Sequence, residues 1–175
     1  MMKDSSSLQL DNPFWQFSLQ QWKNSKLQEQ LLNLQNEQDY RINLLLLAMW
    51  LSFEHKDIRP HLNDLISESS EWHEQIVSPI RKVRQAMPQN LPQQSLSLKT
   101  QLQASELQAE QIEQAILYKA CEIIPESKAA ESDSLDWLIL NLSASDLGKN
   151  DLLLIIQNCL PMYPTHRINE RLNTI

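Results

Sequence analysis

Gly148 is the only glycine in this chain of 175 residues. Tight hairpins and β-bulges need backbone at positive φ, and glycine supplies it at least steric cost. A sheet-rich fold would have to turn many times with one such residue, so strands are disfavoured before any pattern is read. Helices need none in their interior. Apolar residues in fact recur at helical spacing along most of the chain. At this length a single domain can bury a sizeable core without disulfides or metals.

Asn12 is placed to cap a first helix, with Pro13 at its first position, where a missing N–H costs nothing. Trp15, Leu19 and Trp22 share a stripe that Phe14 and Phe17 widen. Ser25 and Gln28 have capping-box spacing for a second helix carrying Leu27, Leu31 and Leu34, which ends in the polar stretch 36–41. From Ile42 to about Glu54 the pattern is apolar on nearly all sides, which places this third helix in the middle of a bundle. The next segment, 62–87, keeps its apolar phase across Pro79. It predicts a fourth helix kinked at that proline, whose ring removes one hydrogen bond and clashes with the carbonyl four residues back.

The stretch 88–97 reads as a loop. A long helix follows from about Leu98 to Ile124, its stripe including Leu98, Ala109, Ile112, Ile116 and Ile123. Glu106, Glu110 and Glu113 fall on its wet side. Two short helices close the regular structure, which Pro161 and Pro164 end. The expected fold is an all-α helical bundle of about six to seven helices. Its parts are a disordered segment 1–11, one helical domain 12–164, and a mobile tail 165–175. The domain has its core over 13–124 and accessory C-terminal helices over 134–160.

Several functions are disfavoured by composition. A net charge of −7 argues against a nucleic-acid backbone as partner. The longest apolar run, 42–53, is well short of the about 20 residues a bilayer-spanning helix needs. The polar, serine-rich start lacks the apolar core of a secretory signal, so a cytoplasmic setting with Cys121 and Cys159 as reduced, buried thiols is expected.

Phe14-Trp15-x-Phe17-Ser18-Leu19, Leu34-Gln35, Ile42-Asn43-Leu44-Leu45-Leu46 with Trp50-Leu51, Trp72, and Pro79-Ile80-Arg81 followed by Arg84 form a set of motifs over about 13–87. In these the chain resembles a family of short, helical, conserved hypothetical proteins of proteobacteria, a domain of unknown function. The resemblance implies a bacterial, cytoplasmic, all-α protein and brings no activity, cofactor or catalytic residue with it. The chain departs from the family pattern at Asp39, where a glycine is usual, and at Trp22, where a tyrosine is usual. Aspartate is one of the few residues that tolerate the left-handed turn a glycine there suggests.

Chemistry-bearing constellations are sparse. His55, His61, His73 and His166 have no metal-ligand spacing, and one glycine builds neither a phosphate-cradling loop nor a nucleophile elbow. No catalytic residue, metal or cofactor is assigned, and an enzyme is not favoured. Asp64, Glu68 and Glu71, with Asp133 and Asp136, read as solvated helix faces. Asn43, an amide at the head of an apolar helix, reads as a cap or a buried pin between helices, with ligand binding as the functional alternative. Arg81, Lys82 and Arg84 form the one concentrated basic cluster, which reads as solvated surface or, functionally, as a patch for an acidic partner segment or an anionic ligand, because arginines fork onto carboxylates and phosphates. The leading expectation is therefore a non-catalytic adaptor that docks an unknown protein partner through an apolar groove or this patch. The alternative is a binder of an apolar small molecule, or an enzyme, with a pocket among Trp15, Trp22, Asn43, Trp50 and Trp72.

Overall fold

The computed structural model describes residues 7–88, 92–93, 95–127 and 133–174. The expected disordered segment 1–11 and loop 88–97 therefore fall partly outside the described residues. Within them the chain is all-α, with no strand and one isolated antiparallel bridge between Lys56 and Glu126.

α1 (Pro13–Gln21) begins as its sequence predicts, with Asn12 accepting from the Trp15 amide at 2.9 Å and Pro13 at the first position. α2 (Ser25–Gln38) corrects the expected capping box: the cap is Asn24, which accepts from the Leu27 amide at 3.3 Å. The same side chain donates to the Asn158 carbonyl at 3.0 Å. An amide can cap and tie at once, donating with one end while accepting with the other. α2 closes on Asp39 at φ 56° and ψ 30°, and the Tyr40 amide reaches back to the Leu34 carbonyl at 3.2 Å. This is the left-handed helix end that the aspartate was expected to permit.

α3 (Ile42–Phe53) is buried at every residue from Ile42 to Ser52. It is the central element, packed against α1, α2, α6 (Ser95–Cys121) and α7 (Ser134–Ser143). Trp50 stacks on Phe14 at 5.6 Å and meets Tyr118 at 5.7 Å.

The segment expected to form a single fourth helix follows one uninterrupted helical path. α4 (Leu62–Trp72) passes through a π turn, His73–Val77, into α5 (Ser78–Gln85). In that turn the Ser78 amide bonds to the His73 carbonyl five residues back. The wider ring delivers Pro79 to the start of α5, where its lack of an N–H is tolerated.

The tail expected to be mobile from residue 165 is instead α9 (Thr165–Leu172), which packs on α7 and α8 (Lys149–Cys159). Ile168 has no exposed surface. Arg167 lies over the Tyr163 ring at 5.0 Å and pairs with Asp133 at 3.4 Å. Pro164 stands at the entry of α9, because a proline near a helix end fits the start of the next helix equally well. Leu135, Leu142, Ile155 and Ile168 belong to the same apolar core as Phe14 and Leu47, so the C-terminal helices complete that core rather than appending to it. Cys121 and Cys159 are free thiols, and burial pushes them up to about 11 and about 12. Among the described residues no helix is long and apolar enough to cross a membrane.

Candidate functional site

The long helix α6 turns a face inward that its sequence pattern assigned to solvent. Glu106 and Glu113 are buried, Glu113 to 1 % exposure, whereas Leu98 and Ile123 from the expected stripe are 50 % and 77 % exposed. The cause lies across the interface. α4, the π turn and α5 lay Ser69, His73, Arg81 and Arg84 against α6, and carboxylates at 106, 110 and 113 share the face that meets them.

Glu113 anchors one end of this interface. Its carboxylate accepts from Arg41 at 2.6 Å and from the Asn43 amide at 2.7 Å, with His73 Nδ1 at 3.0 Å as a third donor. Arg41 also reaches Ser69 at 2.8 Å, and Asn43 Oδ1 accepts from Gln114 at 2.8 Å. Burial pushes the Glu113 carboxyl upward, but the donors and charge of His73, Arg41 and Asn43 outweigh it and hold it below the ordinary carboxylate value. Of the readings its sequence left open, a cap, a pin or a ligand-binding amide, Asn43 makes the hydrogen bonds of a pin between α3 and α6. It sits inside α3, and the cap position belongs to Arg41.

Glu106 anchors the other end. It accepts from Arg81 Nε at 3.0 Å and forms a fork with Arg84 through Nε and a second bond at 3.2 Å. Burial again raises this carboxyl, and the two guanidiniums bring it below its ordinary value. Arg81 continues to Glu110 at 2.7 Å, and the Gln35 amide oxygen, oriented toward Arg81, accepts at 2.6 Å. Glu110 behaves differently from its neighbours. Burial first, then the charges of Glu106 and Glu113, raise it above its ordinary value against the pull of Arg81.

A cleft of about 250 Å³ lies above this polar floor. Trp15, Leu19, Trp22, Leu32 and Leu107 form its apolar walls and rim. Asn43, Gln114, Gln35, Glu106, Glu110 and Arg84 bring polar groups to it from four elements. The structure therefore gathers three of the expected pocket residues, Trp15, Trp22 and Asn43, at one site. The other two lie elsewhere: Trp50 is packed into the core, and Trp72 donates to the Ala109 carbonyl at 2.9 Å. Arg81 and Arg84, expected to face an outside partner, face α6, and only Lys82 of the cluster is exposed. Glu106, Glu110 and Gln114 are site residues that periodicity missed. The available signal was the i, i+4, i+7 spacing of the three glutamates beside an arginine pair of similar pitch.

Asp64, Glu68 and Glu71 are exposed, while Asp133 caps α7 at 3.0 Å and Asp136 pairs with Arg171 at 3.5 Å. Among the described residues no three of His, Cys, Asp or Glu are grouped to hold a metal ion.

Residues 13–117, more than half of the chain, match the sequence model of a family described as a protein of unknown function, DUF2390. The chain belongs to this family. No curated protein and no solved structure matches it. Every residue of the cleft, from Trp15 to Gln114, lies inside the DUF2390 segment, whereas α7, α8 and α9 lie beyond it.

Proposed function

We propose that this protein binds a small molecule with an apolar body in the cleft beneath α1, without catalysing its conversion. One observation carries the reading: an aromatic-walled cavity in which polar groups from several helices converge, the composition expected of a ligand site between bundle helices. The commitment of Arg81 and Arg84 to Glu106 supports it from the other side, because it takes the basic cluster away from an external acidic partner. The test is a thermal-shift screen of apolar-bodied fragments against the full chain and against Leu107→Trp. Leu107 is 52 % exposed at the rim, so a larger ring there fills the cleft while sparing the core. Fragments that raise the melting temperature of the wild type and leave that of Leu107→Trp unmoved support the proposal. A screen without stabilising fragments, or equal shifts in both proteins, contradicts it.

The adaptor reading keeps one supporting observation. Leu19, Leu32 and Leu107 stand partly exposed along the rim and suit the apolar face of a docking helix. A protein partner bound there would be displaced by the same fragments and lost in Leu107→Trp.

A further inference from the structure

The floor of the cleft is rich in hydrogen-bond acceptors that the protein leaves unmet. Glu106 is saturated by Arg81 and Arg84. Glu110 gives one oxygen to Arg81 at 2.7 Å, and its other oxygen has no protein partner among the described residues. Gln114 is 3 % exposed, its amide nitrogen is engaged by Asn43, and its Oε1 is buried without a partner. Native proteins rarely leave a buried acceptor empty, and this one belongs to a residue that lines the cleft.

Charge adds to this. The charged groups lining the cleft are two carboxylates, Glu106 and Glu110, and one guanidinium, Arg84, which is committed to Glu106. α1, α2 and α3 contribute no charged side chain to it. When ionised, Glu110 carries negative charge that its surroundings balance only through Arg81, an arginine it shares with Glu106. Indole rings, two of which stand in the wall, attract cations. The net charge of −7 favours approach of the same class.

We infer that the ligand is an organic cation, a protonated amine on an apolar body, with its ammonium seated against the free oxygen of Glu110, beside Gln114. This rests on the cleft being a ligand site, as proposed above. An ammonium brings several donors and no acceptor, whereas a hydroxyl brings one donor and a carboxylate none. The cavity, at about 250 Å³, exceeds the roughly 150 Å³ that holds a benzene ring. A phenyl group with a short aminoalkyl arm fits that space, its ring among Trp15, Trp22 and Leu107.

Calorimetric titration of the full chain at low salt and neutral pH with phenethylamine, 2-phenylethanol and 3-phenylpropionate tests the inference, since the three share a body and differ in the head. The amine should bind about tenfold or more tighter than the alcohol, and the carboxylate most weakly. Glu110→Gln, which keeps the shape of a partly exposed side chain, should bring the amine to within about twofold of the alcohol. Without any substitution, lowering the pH through the Glu110 titration should weaken the amine and leave the alcohol unchanged. Arg81 and Arg84 on α5 stay charged throughout, and Glu106 and Glu113 on α6 are held ionised to lower pH. An alcohol that binds as tightly as the amine overturns the cation inference and leaves the cleft a ligand site. No binding by any of the three overturns both.

Discussion

Replacing Glu113 with alanine strikes the point where three elements meet. The carboxylate is 1 % exposed and receives Arg41, Asn43 and His73. Without it Arg41 keeps only the Ser69 and Ser70 hydroxyls, at 2.8 and 3.4 Å, and its Nε already lacks a partner. Breaking a buried ion pair by removing one member costs about 3–5 kcal/mol, because the survivor remains desolvated. A domain of this size loses about 2–4 °C of melting temperature per kcal/mol. Glu113→Ala should therefore melt about 6–20 °C below the wild type, followed by circular dichroism at pH 7. Glu113→Gln, which keeps the volume and one acceptor, should fall between the two. A Glu113→Ala variant within about 1 kcal/mol of the wild type would refute the burial of the polar face of α6. It would restore the reading in which 106, 110 and 113 face water.

Three further outcomes follow from the same contacts. Arg81→Ala with Arg84→Ala should lower stability by about 2–3 kcal/mol in urea titrations, since it leaves Glu106 buried and unpaired; a surface cluster would change it by less than about 0.5 kcal/mol. Ile168→Ala should cost about 2–4 kcal/mol by the same measurement, whereas a mobile tail would be indifferent. In acid, Glu106 and Glu113 are held below the ordinary value of 4.5, so their stabilisation is complete above it and lost as pH falls through their lower folded values. Glu110 is raised, so its protonation favours the fold at a higher pH than that. Melting temperature should rise slightly on mild acidification before it collapses, and Glu110→Gln should abolish the slight rise.

Much of the fold was legible because helical signals are local. Asn12 with Pro13, the all-round apolar run of α3 and the left-handed Asp39 each depend on a few neighbouring residues, and each appears where the pattern puts it. α6 was misread for the opposite reason. Its partners Arg41, His73, Arg81 and Arg84 are at least 22 residues away in sequence, and periodicity counts a glutamate as wet whoever faces it. α9 was hidden by two prolines that mark a helix entry as readily as an exit. Of the cleft, the tryptophans of α1 and Asn43 were visible as an unusual aromatic load and an odd amide. Gln114 and Glu110 were not, because a free acceptor is a property of three-dimensional pairing.

The central claim, that the cleft beneath α1 is a ligand site, is tested most directly at the indole groups. The chain has five tryptophans, and only Trp15 and Trp22 line the cleft. In nitrogen-15 NMR spectra of the full chain, titration with phenethylamine should move the indole N–H signals of Trp15 and Trp22 in a saturable way. Those of Trp50, Trp72 and Trp137 should stay in place. Unmoved signals from the first pair, or saturable shifts confined to the other three, would contradict the account.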